Sequence, residues 1–248
     1  MPTSPTPLPL ADPSAGSTPV APADALVATD VVKTYGPLGP GEVAPLGGVT
    51  LTVAPGESVA IMGPSGSGKT TLLHVLAGIL TASGGSVTWR GRDLARMSDR
   101  ERSVLRRQDF GFVFQAGHLL PELPAVENVA VPLMLSGRPR AAAVAEAAAL
   151  FPLLGLQGLE RRRPGELSGG QAQRVAIARA MVAAPGVVFA DEPTGALDQG
   201  TSADVMGHLT AVTRQSGSSL VLVTHDVEVA QWCGRVVRMR DGFVESTR

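Results

Sequence analysis

Eight consecutive residues, Gly63-Pro64-Ser65-Gly66-Ser67-Gly68-Lys69-Thr70, set three glycines and one lysine between an apolar run, Ser58 to Met62, and a segment of helical spacing. Glycines let successive backbone N–H groups wrap phosphate oxygens, and the start of the helix adds a dipole that favours an anion. At this spacing the Lys69 ammonium reaches the β- and γ-phosphates of a nucleoside triphosphate, the Thr70 hydroxyl is a ligand for Mg2+, and Thr71 comes next at the same helix start. Of the 21 lysines and arginines only Lys33 and Lys69 are lysines, so a compact ammonium stands where the chemistry calls for one. Further along, Val187 to Pro193 reads VVFADEP, an apolar strand ending in two acids. Asp191 at the strand tip can hold Mg2+ through water, and Glu192 can orient or deprotonate an attacking water. Gln115 ends the run FGFVFQ and His225 ends SLVLVTH. In a parallel sheet such ends gather at one carboxyl edge, the crevice in which ligands bind. A phosphate loop by itself serves kinases, small GTPases and many ATPases alike.

These side chains need a layered scaffold, and from Leu26 onward short apolar runs alternate with helical segments. Val49, Leu51 and Val53 alternate with Thr50, Thr52 and Ala54 ahead of Pro55-Gly56, and Ser58 to Met62 is a second strand. The pattern predicts a helix from Lys69 to Leu80, a turn at Ser83 to Ser86, and a short strand at Val87 to Trp89. Ser98 and Glu101 have capping-box spacing and open a helix to about Gln108. Phe110 to Gln115 reads as a strand, and residues 119–160 read as largely helical with breaks at Pro132, Gly137 and Pro152. A helix from Ser168, a strand at Val187 to Ala190, a helix near 201–214 and a strand at Ser219 to Thr224 complete the alternation. Asp241-Gly242, between Val236 to Met239 and Phe243-Val244, is a hairpin turn signal because both residue types tolerate positive φ.

Leu167 to Gln171 reads LSGGQ and opens the helix QAQRVAIARAM. With GPSGSGKT, Gln115, the acids at 191 and 192, ALD ending at Asp198, and His225 in this order, the chain resembles the ATP-binding subunit of ABC (ATP-binding cassette) transporters over residues 26 to about 245. TYG near the start, FQAGHLLPELPAVENVAVPLMLSG and DEPTGALD make it similar to the lipoprotein-releasing, macrolide-export and cell-division group of that family. The resemblance implies an α/β fold, a P-loop NTPase (RecA-like) core with an antiparallel β subdomain and an inserted helical subdomain at about 92–165, within a nucleotide-binding domain of residues 25–248. It implies ATP hydrolysis with ATP and Mg2+ as cofactors. Tyr35 matches the position that stacks on adenine, and Gly63 to Thr71 hold the phosphates. Gln115, Glu192 and His225 take catalytic roles, with Thr70, Gln115 and Asp191 around the metal. Ser168, Gly169, Gly170 and Gln171 form a second glycine-rich helix start with no lysine of its own, which can complete an anion site but hardly make one. In the family it caps the γ-phosphate of the opposing subunit, and Asp198 couples the two sites of a homodimer. The partner implied is an integral membrane permease, which holds the chain at the cytoplasmic face of the membrane, with Ala116 to Asn128 expected at the contact. Two features depart from the family: Ala172 stands where many relatives carry Gln, and GPLGPG after Tyr35 is unusually rich in glycine and proline.

Composition bounds the alternatives. The 248 residues suit one α/β domain with an inserted lobe. A formal net charge of -1 gives no global basic field, so no nucleic-acid partner is expected. The single cysteine, Cys233, cannot form an intramolecular disulfide. Residues 1–24, with seven prolines among the first 22, read as a disordered tail rather than a secretory signal. The run from Ala141 to Leu159 carries Glu146 and Pro152 and reads as a helix packed on protein, not a membrane span. Arg161 to Arg163 read as a solvated face. A soluble ABC ATPase of ribosomes or DNA would show paired cassettes, zinc-binding cysteines or a coiled-coil insertion, none of which the sequence has. A regulatory motor that transmits force to cell-wall enzymes through a membrane partner stays open alongside export.

Overall fold

The structure, a computed structural model, describes residues 24–36, 44–115 and 117–247. The proline-rich tail except Asp24, most of the GPLGPG segment, and Ala116 lie outside the described residues. In chain order the elements are β1 (Leu26–Lys33), β2 (Leu46–Val53), β3 (Ser58–Met62), α1 (Lys69–Leu76), β4 (Gly84–Trp89), β5 (Arg92–Asp93), α2 (Asp99–Gln108) and β6 (Phe110–Phe114). They continue as α3 (Ala125–Leu135), α4 (Arg140–Ala148), α5 (Gly169–Met181), β7 (Val187–Asp191), α6 (Gln199–Ser216), β8 (Ser219–Val223), α7 (Val227–Ala230), β9 (Arg235–Arg240) and β10 (Phe243–Thr247).

Two sheets result. The first is antiparallel, in the order β2-β1-β4-β5. The second has the order β10-β9-β3-β8-β7-β6 and is parallel throughout except for the β9–β10 hairpin at its edge. A parallel strand covered on both faces must be apolar on both, and Ser219–Val223 is buried at every residue. The period of two then sorts side chains into two cores. Ala60, Val188, Leu220 and Leu222 face a layer containing Val129, Ile177 and Leu209 of the helices α3, α5 and α6. Val59, Ile61, Phe189 and Val221 face Leu72 and Leu76 of α1 and the apolar side of the antiparallel sheet. Trp89 of β4 meets Phe110 edge-on at 5.7 Å between ring centroids, and Phe110 meets Phe189 at 5.1 Å, which ties the two sheets together.

Several local details differ from the sequence reading, each for a physical reason. The first helix stops at Leu76 rather than Leu80, because Gly78 turns left-handed and the Gly78 and Ile79 N–H groups bond back to Val75 O at 3.0 Å and His74 O at 2.9 Å. Pro132 does not break its helix; α3 continues to Leu135, since one missing N–H is outweighed by burial of Val129, Ala130 and Leu133. Residues 117–124 are not helical. Fully buried Asn128 fastens them instead, its Oδ1 accepting from Leu120 N–H at 2.6 Å and its Nδ2 donating to Leu120 O and Leu123 O, both at 3.0 Å. The Ser98–Glu101 capping box and the Asp241-Gly242 turn appear as expected, the latter with φ of 49° and 81°.

Candidate active site

The strand order puts β3, β8, β7 and β6 side by side with their carboxyl ends at one edge, so the residues just past each strand are brought together there. After β3 comes the phosphate loop. Gly68 caps α1 with φ of 95°, a conformation that strains any side chain, and the first helical N–H groups face the loop's interior. Lys69 is 8% exposed, and its Nζ donates to Gly63 O at 2.8 Å and Pro64 O at 2.9 Å. An ammonium has three donors, so one remains for an anion inside the curl. The loop opens on a cleft of about 880 Å3 whose lining includes Ser65, Lys69, Thr70, Glu192, His225 and Asp241.

After β7 come the two acids. Thr70 Oγ1 donates to Asp191 Oδ1 at 3.3 Å. Burial pushes the Asp191 carboxyl up, against the Thr70 hydrogen bond that lowers it, so its negative charge is under-compensated where it stands. Glu192 has φ of 46°, and its backbone N–H bonds Val223 O at 2.9 Å, which fixes the side chain at the sheet edge independently of its chemistry. His225 Nδ1 lies 2.8 Å from Glu192 Oε1, and Thr224 Oγ1 donates to Glu192 Oε2 at 3.3 Å. His225 is held at one ring nitrogen while its side chain stays 71% exposed toward the cleft. After β6, Gln115 lays its amide against Gly195, where a Cβ would fall 2.8 Å from Nε2.

The donor set fits a divalent cation. The Thr70 hydroxyl and the Asp191 carboxylate, 3.3 Å apart, are hard ligands that leave room for phosphate oxygens and water, the pattern of a magnesium site rather than an all-protein cage. No group of three or more His, Cys, Asp or Glu residues able to hold a metal occurs among the described residues.

Two predicted segments sit beside each other but outside this cleft. Ser168 Oγ accepts from Gln171 N–H at 3.3 Å while Gln171 Oε1 accepts from Ser168 N–H at 2.9 Å, a capping box at the start of α5. Asp198 caps α6 through Thr201 N–H at 3.0 Å and Thr201 Oγ1 at 2.7 Å, and the backbone bond first of all holds its carboxyl below the usual range. The two starts touch: a Cβ on Gly170 would lie 2.5 Å from Thr201 Cγ2. Tyr35, just past β1, is 64% exposed, with its OH 3.4 Å from Thr71 Oγ1 and Lys33 Nζ 5.4 Å from the ring centroid. Among the described residues the Tyr35 ring is thus largely exposed beside the phosphate loop, with Lys33 over it. Sequence reasoning missed Ala44, Pro45, Asp241 and Gly242 as cleft residues. The signal for the last two was the Asp-Gly turn, but only the pairing of β9 with β3 reveals that this turn lies next to the loop.

Comparison with known proteins accords with this geometry. The ABC transporter family matches residues 46–195. The lipoprotein-releasing system ATP-binding protein LolD of Geobacter metallireducens is 47% identical over 215 residues, 87% of this chain and 95% of that protein. The macrolide export ATP-binding/permease protein MacB of Sodalis glossinidius is 47% identical over 204 residues, 82% of this chain but 31% of that longer protein. Among solved structures, a dimeric ATP-binding cassette in a post-hydrolysis state bound to ADP and Pi superposes with a TM-score of 0.80 at 36% identity, covering 90% of this chain and 97% of that one. With an anion-binding loop, a paired acid edge and relatives of this kind over nearly its whole described length, the chain belongs to the ABC transporter family as an ATP-binding and ATP-hydrolysing cassette.

Proposed function

We propose that this cassette works as a homodimer on a separate membrane permease, at the cytoplasmic face, powering export, lipoprotein release or transmission of force. The observation that supports it best is one cleft lined by Lys69, Thr70, Glu192 and His225, with Asp191 bonded to Thr70 at its edge, while the helix start at Ser168 lies outside that cleft. Residues 25–248 act as one nucleotide-binding domain, with the helical lobe drawn from about 92–165.

In the proposed mechanism the phosphate loop and Lys69 bind the triphosphate, and the exposed Tyr35 ring stacks on adenine. Thr70, Asp191 and Gln115 would hold Mg2+, which would supply charge neutralisation at the phosphate oxygens. Glu192 takes the proton of the attacking water, and His225, held by Glu192 at 2.8 Å, keeps its free ring edge for the γ-phosphate. Ser168 to Gln171 of the second copy close the site, with Asp198 at the junction. The work is positioning and electrostatics more than covalent chemistry.

The permease contact is the segment from Ala116 to Asn128 together with the groove that Phe114 and His118 line. The groove has a volume of about 590 Å3 and is lined by Phe112, Phe114, His118, Leu135, Arg107 and Arg179 among others. No helix among the described residues is long and apolar enough to cross a membrane, which fits a chain that reaches the bilayer through a partner. The test is recovery of the tagged chain from solubilised membranes, with the bound protein identified. A co-purifying integral membrane protein whose presence raises the rate of phosphate release supports the proposal. Recovery of an active ATPase from the soluble fraction alone, in cells expressing the native partner genes, overturns it.

A further inference from the structure

One wall of the nucleotide cleft is made by two segments that carry none of the motif chemistry, Ala44-Pro45 and Asp241-Gly242. Three stretches of backbone meet there. The Gly242 N–H donates to Ser67 O in the phosphate loop at 3.2 Å, and the Gly47 N–H donates to Gly242 O at 2.9 Å. None of the three stretches leaves room for a side chain between them. A Cβ on Gly242 would lie 2.7 Å from Ala44 O, one on Gly63 would lie 2.2 Å from Met239 O, and one on Gly68 would lie 2.1 Å from Pro45 O. The Phe243 ring covers Gly47 in the same way, 2.3 Å from where its Cβ would be.

We propose that the Asp241-Gly242 turn sets the shape of the phosphate loop, with Gly242 as a positioning residue for ATP binding. The inference rests on the loop being the ATP site. Its physical core is one peptide plane. In a trans peptide the C=O and the following N–H point in opposite directions. The bond from Gly242 draws the Ser67 carbonyl toward the hairpin, which aims the Gly68 N–H the other way, as an anion donor must be aimed. The loop's glycines thus serve two demands, wrapping phosphate on one side and letting the hairpin backbone approach on the other.

A role in stability alone would rest on the same contacts, so the test separates the two. In the full chain, Gly242→Ala adds a methyl at φ of 81° against fixed backbone, while the control Gly217→Ala adds one at φ of 72° with open space around it. Displacement of binding groups by less than an ångström is enough to cost about 10-fold or more, so Gly242→Ala is expected to weaken ATP binding roughly 10-fold and raise KM, with kcat kept within about threefold. Gly217→Ala should lower the melting temperature while leaving ATP affinity at the wild-type value. Wild-type affinity in Gly242→Ala, or an equal loss in Gly217→Ala, overturns the proposal. Should Gly242→Ala not fold, amide exchange in the wild-type chain decides: ATP must slow exchange at Gly242, and an unchanged rate overturns it. A wild-type chain that binds no ATP at all would instead refute the site assignment on which this rests.

Discussion

Replacing Glu192 by glutamine removes one negative charge and keeps the side-chain shape. The backbone at 192 is held by its own N–H on Val223 O at 2.9 Å, a bond indifferent to the carboxylate, so Glu192→Gln is expected to fold. An amide oxygen can still accept from His225 Nδ1, now 2.8 Å from the carboxylate, but the amide nitrogen cannot accept from Thr224 Oγ1. The proton acceptor is what disappears. A positioned general base contributes about 10²–10⁴-fold, and at 1.36 kcal/mol per decade that is roughly 3–5 kcal/mol of barrier. Binding should move the opposite way. Glu192 is a like charge that helps push the Asp191 carboxyl up, and it faces the same cleft as the triphosphate, so its neutralisation makes ATP binding equal or tighter. The assay pairs phosphate release at saturating ATP and Mg2+ with a nucleotide titration and gel filtration. Turnover should fall at least a hundredfold while a nucleotide-dependent dimer accumulates. Turnover within tenfold of wild type, or loss of turnover together with loss of binding, refutes the assignment of Glu192 as base.

Lys69→Ala removes the cation that bridges Gly63 O and Pro64 O and would meet the phosphates, so ATP binding itself should be lost; unchanged affinity by titration rejects the role. Asn128→Ala removes three part-buried hydrogen bonds, from the Leu120 N–H and to the carbonyls of residues 120 and 123, and leaves a gap at a fully buried position, which together should cost about 3 kcal/mol. For a chain of this size that lowers the melting temperature by roughly 6–12 °C in calorimetry, and a shift near zero contradicts the argument. Burial pushes the Cys233 thiol up to about 12. Its folded value therefore exceeds the unfolded one: the stability it contributes is complete below the ordinary thiol range and is lost as pH climbs toward 12. Alkylation of the folded chain at pH 8 should accordingly be slow, and labelling as fast as in denaturant contradicts it.

What the sequence revealed was whatever is local. Ser98 with Glu101 and Asp241 with Gly242 are decided within four residues, and the structure has each where spacing put it; Ser168 with Gln171 is the same kind of local pair, though only its helix start was read from the sequence. The candidate edge was legible for a similar reason: Asp191 ends an apolar strand, Glu192, Gln115 and the phosphate loop follow directly on theirs, and parallel strands order their ends. What stayed hidden depends on neighbours distant in sequence. Nothing in ENVAVPLML says that Pro132 will be tolerated, because that depends on burial of Val129 and Leu133 against other helices. Nor does the run before Asn128 reveal that a side-chain amide, not a helix, will satisfy its backbone.

In the proposed homodimer one copy does not complete its own site. The chain has two glycine-rich helix starts suited to an anion, at Gly68 and at Ser168, but only the first opens on the cleft with Glu192 and His225. The second is packed through Gly170 against Thr201, at the start of the helix that Asp198 caps, and both starts are fixed by local hydrogen bonds that ATP binding need not disturb. Bending one chain to bring them together would break these caps and the α5–α6 packing. Two copies related by a twofold axis need no such bending, because each offers its second start to the other's cleft in the same contact. In the proposed dimer a bound triphosphate would itself be part of the interface, and its cleavage would remove part of the attraction. A partner seated in the groove that Phe114 lines would then feel the assembly and release of the dimer through β6, where Phe114 pairs with Asp191 and is followed directly by Gln115.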